Sequence, residues 1–273
     1  MYKIGLSVGA EQITEKMFQS LQKAGISAME ISHRNQRHVE ADQLPQFATW
    51  AEKYGVELWS YHLPFWNDDL NFDISEPETA DAIVERFCNL IEQGVSVGIR
   101  YFIIHPSREP IGEAERPERM KRAQKSLRML ADFATQKGAV ICVENLPRTC
   151  LGKNSAEILE LISAHPALRV CFDTNHLLKE PFVDFIIALS DKIVTLHVSD
   201  YDFVDEKHWL PGEGLVDWGL LYRTLKEVGY HGVWLYELGF RNDTLARSRD
   251  LTCEDFARNA REIFEGKPLT SLL

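Results

Sequence analysis

The sequence predicts a single α/β domain over residues 1–273, built as a (β/α)8 barrel of the TIM type. Three observations carry that prediction. Short apolar runs alternate with helix-periodic segments eight times, at roughly 30 residues per unit. The runs are near-continuously hydrophobic, as parallel strands covered on both faces must be. Several of them stop abruptly at an acid or a histidine, as barrel strands do where they open into an active site.

Residues 2–8 form the first predicted strand, ended by Gly9. Residues 11–24 form the first helix, with Ile13, Met17 and Leu21 on one face and a stop at Gly25. The second strand, 27–32, carries Glu30; the pattern leaves open whether that acid faces the site or a salt bridge on the barrel floor. A helix follows to Tyr54 and stops at Gly55. The third strand, 56–62, ends at His62 and is followed by Pro64 and a helix over about 77–94. The fourth, 101–105, ends at His105 and leads to a charged helix over 116–137 that stops at Gly138. The fifth, 139–144, ends at Glu144, and Asn154-Ser155 supplies N-cap chemistry for its helix. The sixth strand, 169–173, ends at Asp173 and precedes a helix near 182–190. The seventh, 193–197, ends at His197; a long loop, 199–214, separates it from a helix over 218–228. The eighth, 232–237, ends at Glu237, and a last helix covers 253–266. The competing architecture, an open doubly wound sheet, would want a GxGxxG after the first strand, and none is present.

The composition, 45% hydrophobic, suffices for a large core, and no Pro/Gly/Ser-rich linker marks a boundary. No apolar run is long enough to span a membrane, and the opening residues turn polar too soon for a secretory signal. Acids outnumber bases 41 to 30, a formal charge of −11, which disfavours nucleic acid as a partner. The five cysteines are scattered and form no CxxC pair; Cys142 and Cys171 sit inside apolar runs as core thiols, so a reducing cytoplasm fits best. Homo-oligomerisation is left open by the sequence.

In a barrel, Glu144, Asp173, His197 and Glu237 would converge from strands five to eight. Three carboxylates and an imidazole suit one divalent ion: manganese, magnesium, cobalt or zinc. Without a cation these acids would repel one another, which is the physical reason to infer a metal. A single acid at a strand end is ordinarily a helix cap and a lone histidine ordinarily structural; four in register are not an accident of either kind. His62, His105, His176 and His208 form a second group, suited to extra metal, substrate hydroxyls, proton transfer or plain hydrogen bonding. Arg148, Lys153 and Arg108 lie just past strand ends, where one could receive a phosphate, although surface charge explains each equally. Asn145 could orient Glu144 or contact a hydroxyl, and Phe65, Trp66 and Trp209 could wall a sugar ring. His33, His38, His165 and His231 read as solvated.

Together these residues resemble a known superfamily. Val-Glu-Asn at 143–145, Phe-Asp-Thr-Asn-His at 172–176, Leu-His-Val-Ser-Asp at 196–200, Pro-Gly-Glu-Gly at 211–214 with Asp217-Trp218, and Tyr-Glu at 236–237 look like the xylose-isomerase-like TIM barrels. These are the sugar phosphate isomerases and epimerases, related to apurinic endonuclease IV. The resemblance spans almost the whole chain and is specific for the superfamily rather than the substrate. It implies a sugar, sugar phosphate or cyclitol isomerase or epimerase working through an enediolate. Glu144, Asp173, His197 and Glu237 would hold the metal, Glu144 and Glu237 would exchange the proton, and His176 would contact substrate. A dehydratase or lyase acting on a keto sugar would use the same enolate. Resemblance to endonuclease IV implies instead a zinc phosphodiesterase, with a second or third zinc held through His62, His105, His176 and His208. Its third-zinc acid falls on Glu206, where an aspartate is expected; Asp205 is one residue away. A non-catalytic sugar-binding barrel would have no use for the four-ligand set.

Overall fold

The computed structural model describes residues 1–32, 43–65 and 72–273; His33, His38 and Trp66, considered above, lie outside the described residues. Strands β1 (Ile4–Gly9), β2 (Ala28–Ser32), β3 (Glu57–His62), β4 (Tyr101–Ile104), β5 (Val140–Glu144), β6 (Arg169–Asp173), β7 (Ile193–His197) and β8 (Trp234–Tyr236) alternate with helices. The helices are α1 (Glu15–Ala24), α2 (Gln43–Tyr54), α3 (Ala80–Ser96), α4 (Arg116–Gln136), α5 (Ser155–Ile162), α6 (Phe182–Ala188), α7 (Trp218–Glu227) and α8 (Cys253–Glu265). All paired strands are parallel and run in the order β7-β6-β5-β4-β3-β2-β1-β8. The ring nearly closes where Val198, just past β7, bridges to Tyr236 of β8; Val198 N donates to Leu235 O at 2.8 Å and Glu237 N to Val198 O at 3.1 Å. The fold is therefore the predicted (β/α)8 barrel.

Strand side chains alternate between two environments. Ile141 and Val143 of β5, Val170 and Phe172 of β6 and Leu196 of β7 belong to the large core between sheet and helices. The intervening residues point into the barrel. Ile103, Cys142 and Cys171 form one small interior cluster and Ala28, Val233 and Leu235 another. Trp59 Nε1 donates across the barrel to Thr195 Oγ1 at 3.0 Å. Continuing that alternation to the strand ends makes Glu30, His62, Glu144, Asp173 and His197 inward-facing, with His105 and Glu237 immediately after their strands. Two register shifts, at Met29/Glu30 against β3 and at Val170/Cys171 against β7, fall just below these ends. Such irregularities re-aim the side chains beyond them.

Three elements depart from the sequence reading. The first helix begins later: a 3-10 turn at Ala10–Gln12 precedes α1, and the Thr14 side chain restarts the chain as an N-cap for Met17 N. β8 is shorter than expected, leaving Glu237 beyond its end. Helix α3 runs through Gly94 to Ser96 and turns off at Gly98, whose φ of 90° is the left-handed conformation a helix stop requires. Gly94 is there for space: a Cβ at that position would stand 2.7 Å from the Phe102 ring. No helix among the described residues is long and apolar enough to cross a membrane.

That close approach predicts the sign of a substitution. On an exposed helix face, glycine to alanine gains up to about 1 kcal/mol. Here the Phe102 ring is fully buried and has nowhere to move. Gly94→Ala should instead destabilise by about 1–3 kcal/mol, read as a lower urea midpoint with unchanged slope. A midpoint equal to or above that of the parent would contradict this packing.

Candidate active site

Glu144 ends β5, Asp173 ends β6, His197 ends β7 and Glu237 follows β8, and their side chains meet in a buried cup. One ligand atom from each lies within 4.8 Å of the other three. His197 Nδ1 stands 3.1 Å from Glu144 Oε1, 3.2 Å from Glu237 Oε2 and 3.9 Å from Asp173 Oδ2. The other nitrogen of that ring, Nε2, faces Glu30 Oε2 at 3.1 Å, and Ser60 Oγ donates to the same oxygen at 2.7 Å. Asn145 fixes the spacing of β5 and β6. Its Nδ2 donates to Asp173 O at 2.9 Å, and its Oδ1 accepts from Asp173 N at 2.8 Å. Asp173 Oδ1 accepts from Asn175 N at 2.6 Å, whereas Oδ2 accepts no hydrogen bond among the described residues.

Glu144 is shared. While Oε1 faces His197, Oε2 lies 3.1 Å from His62 Nε2 and 3.2 Å from His105 Nε2. Backbone carbonyls orient three of the surrounding rings. His62 Nδ1 donates to Leu63 O at 2.8 Å, His176 Nδ1 to Asn145 O at 2.8 Å and His208 Nδ1 to Glu237 O at 3.1 Å. A carbonyl only accepts, so each Nδ1 carries a proton and each Nε2 is left to face an acid, Glu144 for His62 and Glu206 for His176 and His208. His176 and His208 both point Nε2 at Glu206 Oε2, 4.0 Å away. His62, Glu144 and His197, and separately His176, Glu206 and His208, thus form further groups with metal-ligand geometry. The Phe65 ring lies 4.4 Å from His105 and 4.9 Å from His62 and walls this side of the cup.

The charges are strained by their burial. Burial, then the charges of Glu237 and Glu144, hold the Asp173 carboxyl well above the usual aspartate range. Glu144 goes the other way: burial pushes it up, but His197 and His105 pull it well below the usual range. Burial alone would lower His197, yet Cys171, Glu237, Glu30 and Glu144 raise it well above the ordinary imidazole value. His105 is lowered, chiefly by burial. Three carboxylates, an imidazole nitrogen turned into the cup and the unpartnered Asp173 Oδ2 form a donor set that fits a divalent cation.

A cavity of about 500 Å³ opens above the cup, lined among others by Phe65, His105, Arg148, Glu206, His208 and Glu237. A second, of about 680 Å³, adjoins it and shares Arg148 and His176. Arg148 therefore stands at the mouth, as the sequence suggests, but its guanidinium is engaged. It binds Glu109 Oε1 at 2.5 Å, Asp205 Oδ1 at 2.6 Å and Glu206 Oε1 at 2.8 Å, and the Glu109 hydrogen bond leads in raising its pKa. It clasps the loops after β4, β5 and β7 together. Lys153 lines the second cavity, 3.5 Å from Glu113, and Arg108 lines the first. Trp209 directs its indole N–H to Thr244 Oγ1. His165 pairs with Asp132 at 3.3 Å, and His231 is exposed.

Two residues at this end were given no role of their own by the sequence, although Asp200 closes the 196–200 motif. Ser60 has no signal of its own; only its pairing opposite Glu30 reveals it. Asp200 organises the long loop after β7. Its buried carboxylate accepts from Tyr201 N, Gly212 N, Val216 N and Trp218 Nε1 at 2.8–3.1 Å. Gly214 packs so closely that a Cβ would lie 2.4 Å from Asp200 Oδ1. An acid three residues past a predicted ligand, followed by a glycine-rich turn, is the signal that could have found it.

Known proteins share this arrangement of elements. The family model described as xylose isomerase-like TIM barrel matches residues 18–255. An uncharacterised protein of Methanocaldococcus jannaschii is 24% identical over 232 residues, 82% of this chain and 78% of that protein. Fructoselysine 3-epimerase of Escherichia coli O157:H7 is 27% identical over 123 residues, 43% of this chain and 45% of its own. Among solved structures, a D-tagatose 3-epimerase-like protein matches with a TM-score of 0.79 at 20% identity, covering 97% of this chain and 96% of that one, a likeness of fold.

The raised Asp173 carboxyl has a consequence for stability. Below the ordinary aspartate range, about pH 4, it is protonated folded or unfolded and costs nothing. As pH rises through the window up to its higher folded value, the unfolded chain releases the proton first, so the metal-free fold loses stability. Asp173→Asn keeps the acceptor for Asn175 N and removes the ionisable group. At neutral pH it should raise the stability of the chelator-treated protein by about 1–3 kcal/mol, or about 2–4 °C per kcal/mol in thermal midpoint, and flatten the decline with pH. A lower midpoint for the variant at neutral pH would contradict the repulsion inferred here.

Proposed function

The chain belongs to the xylose isomerase-like TIM barrel family, and from that premise we propose that it is a divalent-metal-dependent sugar isomerase or epimerase. The observation that carries this reading is the pair of glutamates, Glu144 and Glu237, each within 3.2 Å of the same His197 nitrogen at the floor of one cavity. Two carboxylates reaching a bound carbon from β5 and β8 suit removal of a proton by one and its return by the other. Glu144 or Glu237 takes the proton while the other returns it on the opposite face. Glu144, Asp173, His197 and Glu237 hold the cation: manganese, zinc, magnesium or cobalt. A cation held there would supply Lewis-acid polarisation of the substrate's carbonyl oxygen. His105, His176, His208 and Arg148 line the cavity and would fix the substrate's hydroxyls, whereas His62, grouped with them in the sequence, is buried outside that lining with its ring engaged by Leu63 O and Glu144. The substrate class is a hydroxy-ketone sugar, sugar phosphate or cyclitol, and the similarity to fructoselysine 3-epimerase supports it. Elimination instead of reprotonation would make the same site a dehydratase or lyase. The reading takes residues 1–273 as one domain, and five free thiols favour the reducing cytoplasm.

One observation favours a second reading. Glu144 Oε2 sits between two inward-turned histidine nitrogens, and His176, Glu206 and His208 form another metal-competent group. A second and third zinc there would suit a phosphodiesterase resembling endonuclease IV. The chain's charge of −11 opposes a DNA-facing surface.

Glu144→Gln should lower turnover by about 10³-fold or more while thermal unfolding and circular dichroism stay those of a folded barrel. Unchanged turnover would remove Glu144 from the chemistry. Elemental analysis should find one tightly held ion per chain, and incubation in heavy water across a ketose panel should place deuterium beside the carbonyl of the true substrate. Three zinc ions with cleavage of abasic DNA would favour the second reading.

A further inference from the structure

Glu30 comes from β2, on the far side of the ring from the four strand ends that build the cup, yet it is fully buried against His197. A buried carboxylate is costly unless paired, and an apolar side chain would pack the barrel floor at less cost. Its retained partners are specific. Ser60 Oγ donates to Oε2, and both carboxylate oxygens lie 3.1 Å from His197 Nε2. The register shift at Met29/Glu30 aligns Glu30 with Ser60. His197 also differs from its neighbours. His62, His176 and His208 are each held by a backbone carbonyl, whereas His197 is held by a carboxylate, a stronger acceptor. His176 also turns Nδ1 toward the acids, 3.5 Å from Glu144 and Asp173, but that nitrogen is held by the Asn145 carbonyl, whereas His197 Nδ1 comes within 3.2 Å of both Glu144 and Glu237.

We propose that Glu30 is a positioning residue for the cation site: it accepts the His197 Nε2 proton, which fixes the ring with Nδ1 toward Glu144 and Glu237 and makes that nitrogen a stronger ligand. The inference rests on the metal reading given above and adds a residue to it from a strand that supplies no ligand. Ser60 in turn holds Glu30, so the chain of contacts runs from β3 through β2 to β7. A purely architectural ion pair on the barrel floor would stabilise the fold without altering affinity for a cation.

The test titrates manganese and zinc into chelator-stripped full-length protein against a fluorescent competing chelator, with thermal unfolding of the metal-free forms measured alongside. Glu30→Gln preserves shape and one acceptor but removes the charge. It should weaken binding about 10-fold while the metal-free midpoint holds or rises. Glu30→Ala should weaken it toward 100-fold, and Glu30→Asp should recover part of the loss. Wild-type binding matched within twofold by Glu30→Gln and Glu30→Ala overturns this inference and leaves the metal reading standing. A wild-type chain that binds neither ion overturns both. Because Glu30→Gln is nearly isosteric, it decides the matter even if Glu30→Ala fails to fold.

Discussion

Like charge held out of water is the constraint around which this barrel is arranged. Glu30, Glu144, Asp173 and Glu237 surround a single imidazole at His197, and all five side chains are buried. Two unit charges 4 Å apart interact by about 4 kcal/mol at an effective dielectric of 20. His197, even with His62 3.1 Å from Glu144, cannot neutralise four such acids. The metal-free protein meets the difference by displaced proton equilibria: Asp173 keeps its proton far above the usual range, and His197 keeps both of its own. A divalent cation would resolve the same imbalance with charge of the right sign in the same place.

The fold delivers these groups through the simplest property of a parallel strand, its period of two. Cys142 and Cys171 occupy the inward layer one step below Glu144 and Asp173, so the polar ring is the next layer of the same stack. Small or apolar side chains below and acids above make a floor that excludes water. The hydrogen bonds that orient the ligands come from the adjoining strand ends, as Asn145 does for Asp173.

Strand order, the convergence of Glu144, Asp173, His197 and Glu237, and the fold were legible because an apolar run broken by an acid or histidine is a sharp signal, repeated on four successive strands. β6 and β7 begin and end where the pattern places them. Glu30 was not legible in the same way. Its pairing with Ser60 depends on an irregularity between β2 and β3, and alternation counted along one strand cannot register an extra residue in its partner. Gly94 misled for a related reason: glycine marks both helix ends and close contacts, and only Phe102 across the gap distinguishes them. The engagement of Arg148 by Glu109, Asp205 and Glu206 joins three loops far apart in sequence, so no local spacing announces it. Glu206 itself was found only by resemblance.

The attachment of the loop after β7 to Asp200 separates what is anchored from what is free to vary. Residues 212–218 return to that one carboxylate, and the stretch between carries Glu206 and His208 over the mouth. Substitutions confined to 202–207 therefore rewrite the rim while the knot beneath stays tied. A scaffold of this kind can change its preferred guest over evolutionary time without unmaking the vessel that holds it.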